Sequence, residues 1–105
     1  MEFRGKRVVV TAGGGGIGAE TTRLFSEAGA SVFICDIDEA SLNETISKND
    51  NVQGIKVDVS DPEAFRDFFR QADEFLGGLD IMVNNAGTAG PTALIEDISL
   101  DCLLY

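Results

Sequence analysis

Three consecutive valines, Val8, Val9 and Val10, run directly into Thr11-Ala12-Gly13-Gly14-Gly15-Gly16-Ile17-Gly18. Residues of these types can hold a phosphate with backbone alone. Glycines let the chain turn through positive φ and bring main-chain N–H groups close to an anion. A helix starting at the end of such a turn adds free N–H groups and the positive end of its dipole, which suits a pyrophosphate. Further candidates follow along the chain: Asp36, Asp58 with Val59, and the run Asn84-Asn85-Ala86-Gly87.

Asp36 stands 18 residues after Gly18, at the end of a second apolar segment. A carboxylate there can accept hydrogen bonds from the hydroxyls of an adenosine ribose. It would repel a 2′-phosphate, and neither Gly15 nor Ile37 supplies a compensating cation, so NAD is expected in preference to NADP. Taken alone, Asp36 is an ordinary strand-end or capping aspartate; the glycine turn at this spacing gives it the ribose role. Asp58 has two readings. It can reach the amino group of an adenine, or it can form a turn ahead of Ser60. The Asn84 to Gly87 run is a generic Asn-Gly turn or a place where small residues let a ligand lie over the backbone.

These groups need elements to bring them together. Residues 7–11 read as a strand covered on both faces, since its apolar run does not alternate. Ile17, Thr21, Leu24, Phe25 and Ala28 share one helical face, with Gly29 as the stop. Residues 31–35 form a second strand, 38–48 a polar helix with a thin stripe through Leu42 and Ile46, and 52–59 a third strand weakened by Gly54. Ser60-Asp61-Pro62-Glu63 opens the next helix with a capping residue, a proline in the first turn and a Glu three residues after the serine. That helix buries Phe65, Phe68, Phe69, Ala72 and Leu76 and ends at Gly77-Gly78. Residues 79–83 are a fourth strand. Ser99 is placed as the cap of a last helix that stops at Tyr105.

The order β-α-β-α-β-α-β implies parallel pairing with right-handed crossovers. The fold expected is α/β, half of a Rossmann-type doubly wound sheet with strand order 3-2-1-4. Its strand ends would lie along one edge, with Asp36, Asp58 and Asn85 beside the glycine turn.

Composition narrows the function. The 105 residues, 44% hydrophobic, suffice for one domain with a core. A net charge of −10, from 18 acidic and 8 basic residues, excludes the field that nucleic acid requires. The acidic excess reads as solvated helix faces. No apolar stretch is long enough to span a membrane, and no secretion signal precedes the first strand. Two distant cysteines and no histidine leave no metal spacing, so a reducing cytoplasm is the expected setting. Cys35 reads as an inert buried thiol, and Phe65, Phe68, Phe69 and Phe75 as core and its edge. Tyr105, the last residue, has no lysine after it and is not a catalytic phenol.

Taken together, Thr11-x-x-x-x-Gly16-Ile17-Gly18, Asp36, Asp58-Val59 and Asn84-Asn85-Ala86-Gly87 resemble the short-chain dehydrogenase/reductase family over residues 6–101. The resemblance implies that Ala12, Gly13, Gly14, Gly15, Gly16, Ile17 and Gly18 wrap the pyrophosphate, with Thr11 also counted among the cofactor-binding residues. It also implies that Asp36 holds the ribose, that Asp58 and Val59 meet the adenine, and that Asn85, with Ala86 and Gly87, lines the cofactor cleft. Ala12 departs from the family pattern, which has glycine there. The family's catalytic serine and Tyr-x-x-x-Lys fall beyond the 105 residues, so no catalytic residue is assigned.

The expectation is therefore a partial dinucleotide-binding domain over residues 1–105, from an NAD-dependent alcohol/ketone oxidoreductase, inactive alone. Its alternatives are a stand-alone nucleotide-binding or interaction module, and a truncated product without function. The fourth strand would present an apolar edge open to pairing; the intact family is commonly oligomeric.

Overall fold

The structure, a computed structural model, describes residues 3–85. Its elements are β1 (Arg7–Thr11), α1 (Gly16–Glu27), β2 (Ser31–Asp36), α2 (Glu39–Lys48), β3 (Val52–Lys56), α3 (Pro62–Leu76) and β4 (Ile81–Asn84). The four strands form one parallel sheet in the order β3-β2-β1-β4. Ala86 and Gly87 of the candidate site lie outside the described residues, as do Ser99, Cys102 and Tyr105.

Alternate side chains of the valine run explain the two layers. Val8 and Val10 join Val32, Ile34, Val52 and Leu42 on the face covered by α1 and α2, with Phe25 and Ile46 packed against them. Val9 points the other way, into a cluster with Phe33, Cys35, Met82, Phe68, Phe69 and Ala72 under α3. A strand buried on both faces has no solvent side and hence no polar alternation. The α3 stripe is aromatic, with the Phe68 and Phe69 rings 5.3 Å apart edge-to-face and Phe33 5.4 Å from Phe68. Phe65 and Leu76 flank it half-buried, and Phe75 leans on Phe33 at its rim.

Three local details differ from the sequence reading. The first concerns α1, which turns Gly18 and Thr22 to the sheet, while Ile17 and Leu24 are 79% and 55% exposed. The glycine side allows the helix to sit close to the strands, which rotates the branched residues outward. Second, the cap of α3 is Asp61, whose Oδ1 accepts the Glu63 and Ala64 N–H groups, with Pro62 in the first turn. Ser60 is held by Asp58 instead. The third strand also ends at Lys56 rather than 59, because the chain bends there toward the Asp58 turn.

Gly77 closes α3 in the left-handed conformation at φ 75°. Immediately after it, Asp80 ties β4 to the head of β1. Its carboxylate accepts from the Arg7 guanidinium at 3.0 and 3.1 Å and from the Arg7 backbone N–H at 2.8 Å. Arg7 also donates to the Gly77 carbonyl at 2.9 Å. This clamp aligns β1 with its neighbour β4 at the end opposite the candidate site.

Candidate functional site

In a parallel sheet every strand delivers its C-terminal residue to the same edge. Thr11, Asp36 and Asn84 are the last residues of β1, β2 and β4, and Asp58 follows β3 by two positions. The glycine turn therefore leaves β1 between β2 and β4, where the strand order reverses, the usual ligand crevice of such sheets.

The turn is held by side chains from three elements. Gly13 N–H donates to the Cys35 carbonyl at 2.9 Å. The Thr22 hydroxyl of α1 lies 2.8 Å from the Gly18 carbonyl and 3.3 Å from that of Gly13. Gly14 N–H donates to Asp36 Oδ2 at 3.0 Å, and the Gly14 carbonyl accepts from Thr45 of α2 at 2.9 Å. Gly15 caps α1 in an extended conformation and has no side chain to engage the first helical N–H groups. Those groups are the orphan donors of any helix N-terminus and are free to meet an anion.

Close packing makes glycine obligatory at three places. A Cβ on Gly13 would lie 2.7 Å from the Ile34 side chain, and one on Gly14 2.8 Å from the Leu42 backbone. One on Gly18 would overlap the Ala12 carbonyl at 1.7 Å. Gly16, at φ 54°, has open space around it.

Beside the turn lies a cavity of about 190 Å³, lined by Ala12, Cys35, Asp36, Ile37, Val57, Asp58 and Val59. Four of the candidate residues thus meet in one pocket with no basic side chain in its wall. Asp36 is oriented by two backbone donors, Gly14 N–H on Oδ2 and Asp38 N–H on Oδ1, both at 3.0 Å. Asp58 serves the turn that its spacing allowed: its Oδ1 accepts from the Ser60 hydroxyl at 2.6 Å and the Ser60 N–H at 2.9 Å. These bonds, the hydroxyl's first, hold its carboxyl below the usual aspartate range. The turn and the cavity wall are compatible roles for one side chain. Burial pushes the Cys35 thiol up to about 12, which keeps it un-ionised and unreactive.

On the other side of β1, Thr11 joins the chain leaving β4. Its hydroxyl donates to Asn84 Oδ1 at 2.8 Å and accepts from Asn85 N–H at 3.0 Å. The Asn85 side-chain nitrogen is buried without a partner among the described residues. A second, larger cleft of about 1010 Å³ separates α1 from α2 and meets the turn only at Gly14, Gly15 and Gly16. Its cations are already paired, Arg23 with Glu20 and Glu27, and Lys48 with Glu44.

Thr22 and Thr45, which support the turn, escaped the sequence reading. A threonine four residues after Gly18 on the same helical face was the available signal; for Thr45, 31 residues from its partner, there was none.

A parallel sheet in the order 3-2-1-4 with this turn after its first strand defines a Rossmann-like α/β fold. More narrowly, the chain belongs to the short-chain dehydrogenase family, whose model matches residues 6–101. It is 36% identical over 101 residues to a short chain dehydrogenase/reductase of Colletotrichum higginsianum, covering 92% of this chain and 38% of that protein. Among solved structures, it matches a variant of the Serratia marcescens short-chain dehydrogenase/reductase with TM-score 0.80 and 31% identity, over 93% of this chain and 44% of the other. The 3-ketoacyl-(acyl-carrier-protein) reductase of Brucella melitensis, solved with NADH, matches with TM-score 0.78 and 27% identity, over 95% and 41%. The chain thus spans about two fifths of the proteins it resembles and corresponds to their N-terminal part. Among the described residues, no helix is long and apolar enough to cross a membrane.

Proposed function

We propose that this chain is the dinucleotide-binding part of an NAD-preferring oxidoreductase that interconverts an alcohol and a ketone by hydride transfer. The observation that carries the reading is the meeting of Ala12, Asp36, Asp58 and Val59 in one cavity beside the glycine turn. Adenine fits the apolar wall formed by Val57 and Val59, with Asp58 as acceptor for its amino group. The ribose hydroxyls donate to Asp36, whose two oxygens each keep a lone pair beyond the backbone bonds they accept. The pyrophosphate sits over the first turn of α1, where the N–H groups and dipole offset its charge.

NAD is preferred over NADP for an electrostatic reason. A 2′-phosphate would stand against Asp36 with no arginine or lysine in the cavity wall to neutralise it. When bound, the dinucleotide supplies the hydride chemistry. The residues of this chain bind and orient its adenosine diphosphate half, and Thr11 holds Asn85 toward the cleft.

Calorimetric titration with NAD, NADP and ADP-ribose tests this, with Asp36→Ala as the control. The expected result is binding of NAD and ADP-ribose, weaker binding of NADP, and a narrowed difference between NAD and NADP in the variant. Equal affinity for NAD and NADP in the parent chain would overturn the cofactor preference. A folded chain that binds none of the three would overturn the binding function.

A further inference from the structure

Gly14 is clamped from both sides. Its N–H is held by Asp36 at the end of β2, and its carbonyl by Thr45 in the middle of α2. Thr45 is buried to 6% exposure beside the apolar stripe of Leu42 and Ile46, and its hydroxyl bonds a loop residue 31 positions earlier.

A trans peptide carries its carbonyl and its following N–H on opposite sides of one rigid plane. No cis peptide occurs among the described residues. Fixing the Gly14 carbonyl on Thr45 therefore turns the Gly15 N–H the opposite way, away from α2. The preceding peptide obeys the same logic: the Gly13 carbonyl faces Thr22, and the Gly14 N–H faces outward to Asp36. Gly15 is also the residue that caps α1, so its N–H stands next to the free donors of the first turn.

We propose that Thr45 is a positioning residue that aims the Gly15 N–H at the bound diphosphate, adding one donor to those of the helix N-terminus. The inference rests on the reading of this turn as a diphosphate seat. Two consequences follow from the geometry. Thr45 acts on the phosphates and not on the adenosine, because it fixes the peptide that follows Gly14. Asp36 accepts instead from the Gly14 N–H of the preceding peptide, whose carbonyl faces Thr22, and from Asp38 N–H. Its hydroxyl, and not its methyl, is the active group, since neither Val nor Ala can hold a carbonyl in place.

The test compares Thr45→Val and Thr45→Ser, each checked for folding by circular dichroism, in titrations with ADP-ribose and with adenosine. Thr45→Val is expected to weaken ADP-ribose about tenfold, the scale of one lost hydrogen bond to a charged group, and to leave adenosine unchanged. Thr45→Ser is expected to restore the parent affinity. Equal ADP-ribose affinity in Thr45→Val and the parent would overturn the proposal, as would a parallel loss of adenosine. The Gly15 amide resonance of the unliganded ¹⁵N-labelled chain separates this from the function it rests on. A change centred on Gly14, Gly15 and Gly16 in Thr45→Val, reversed in Thr45→Ser, is expected whether or not a nucleotide binds. An unchanged Gly15 resonance would overturn the positioning itself, and a parent chain that binds neither ligand would instead refute the diphosphate seat.

Discussion

Gly18 lies so close to Ala12 that a β-carbon on Gly18 would stand 1.7 Å from the Ala12 carbonyl oxygen. The contact joins the first turn of α1 to the residue that leaves β1, and it determines how near the helix N-terminus comes to the sheet edge. The obstructing atom is backbone and cannot swing aside. Gly18→Ala is therefore expected to push α1 off the sheet and to destabilise the chain by about 3 kcal/mol, the upper range for overpacking. Urea unfolding measures the loss; a midpoint unchanged from the parent would show that the turn can yield.

Ala12 itself is strained. It adopts φ 53°, the left-handed region that its family fills with glycine at this place, and its methyl does not remove the penalty. The methyl of Ala12 is small enough to fit the turn. Size is not the issue; the sign of φ is. Ala12→Gly is expected to stabilise the fold by about 0.5–1 kcal/mol, the relief of strain being partly offset by a looser unfolded chain. The check is the thermal midpoint, which should rise. Asn51, at φ 59°, serves as the comparison, since asparagine tolerates this region and Asn51→Gly should change little.

The Thr11 hydroxyl, fully buried, bonds both Asn84 and Asn85 across 73 and 74 residues of chain. Thr11→Val keeps the shape and removes both bonds, leaving the Asn85 N–H without its acceptor. A loss of about 2 kcal/mol is expected in chemical unfolding, with most of it recovered in Thr11→Ser. Amide exchange at Asn85 should accelerate in the valine variant alone.

The Arg7 clamp predicts a pH dependence. Hydrogen bonds from Arg7, the side chain's first and the backbone N–H's second, hold the Asp80 carboxyl down at about 2, with the guanidinium charge adding less. A depressed carboxylate stabilises the fold above its unfolded pKa and loses that contribution as pH falls through the folded value. The stability due to this pair is therefore complete above about pH 4 and disappears toward pH 2. Asp80→Asn should lower the urea midpoint at neutral pH and flatten its decline over that acid interval. Parallel acid limbs in the two proteins would refute the assignment.

Much of the architecture was legible because it depends on local chemistry. Valine runs without alternation announced strands covered on both faces, the phenylalanine stripe announced the face of α3, and glycine pairs marked where helices stop. The crossover pattern then left little choice of strand order. The spacing of Asp36 and Asp58 was readable for the same reason, since strand ends of a parallel sheet share an edge. What was misread is where packing distance mattered. Ile17 and Leu24 looked like a buried face because apolar periodicity assumes an ordinary gap between helix and sheet; Gly18 closes that gap and turns Thr22 inward.

The sequence by itself determined the sheet, its order, the glycine turn and the family to which they belong. Those follow from side-chain polarity and chain connectivity, which are written residue by residue. Only the tertiary structure decided which donors of the turn are already taken and which remain for a ligand. Thr22 and Thr45 reach the turn from separate helices, and Asp36 shares itself between Gly14 and Asp38. Such bonds depend on distances between elements that are far apart in the chain, and no local pattern encodes them.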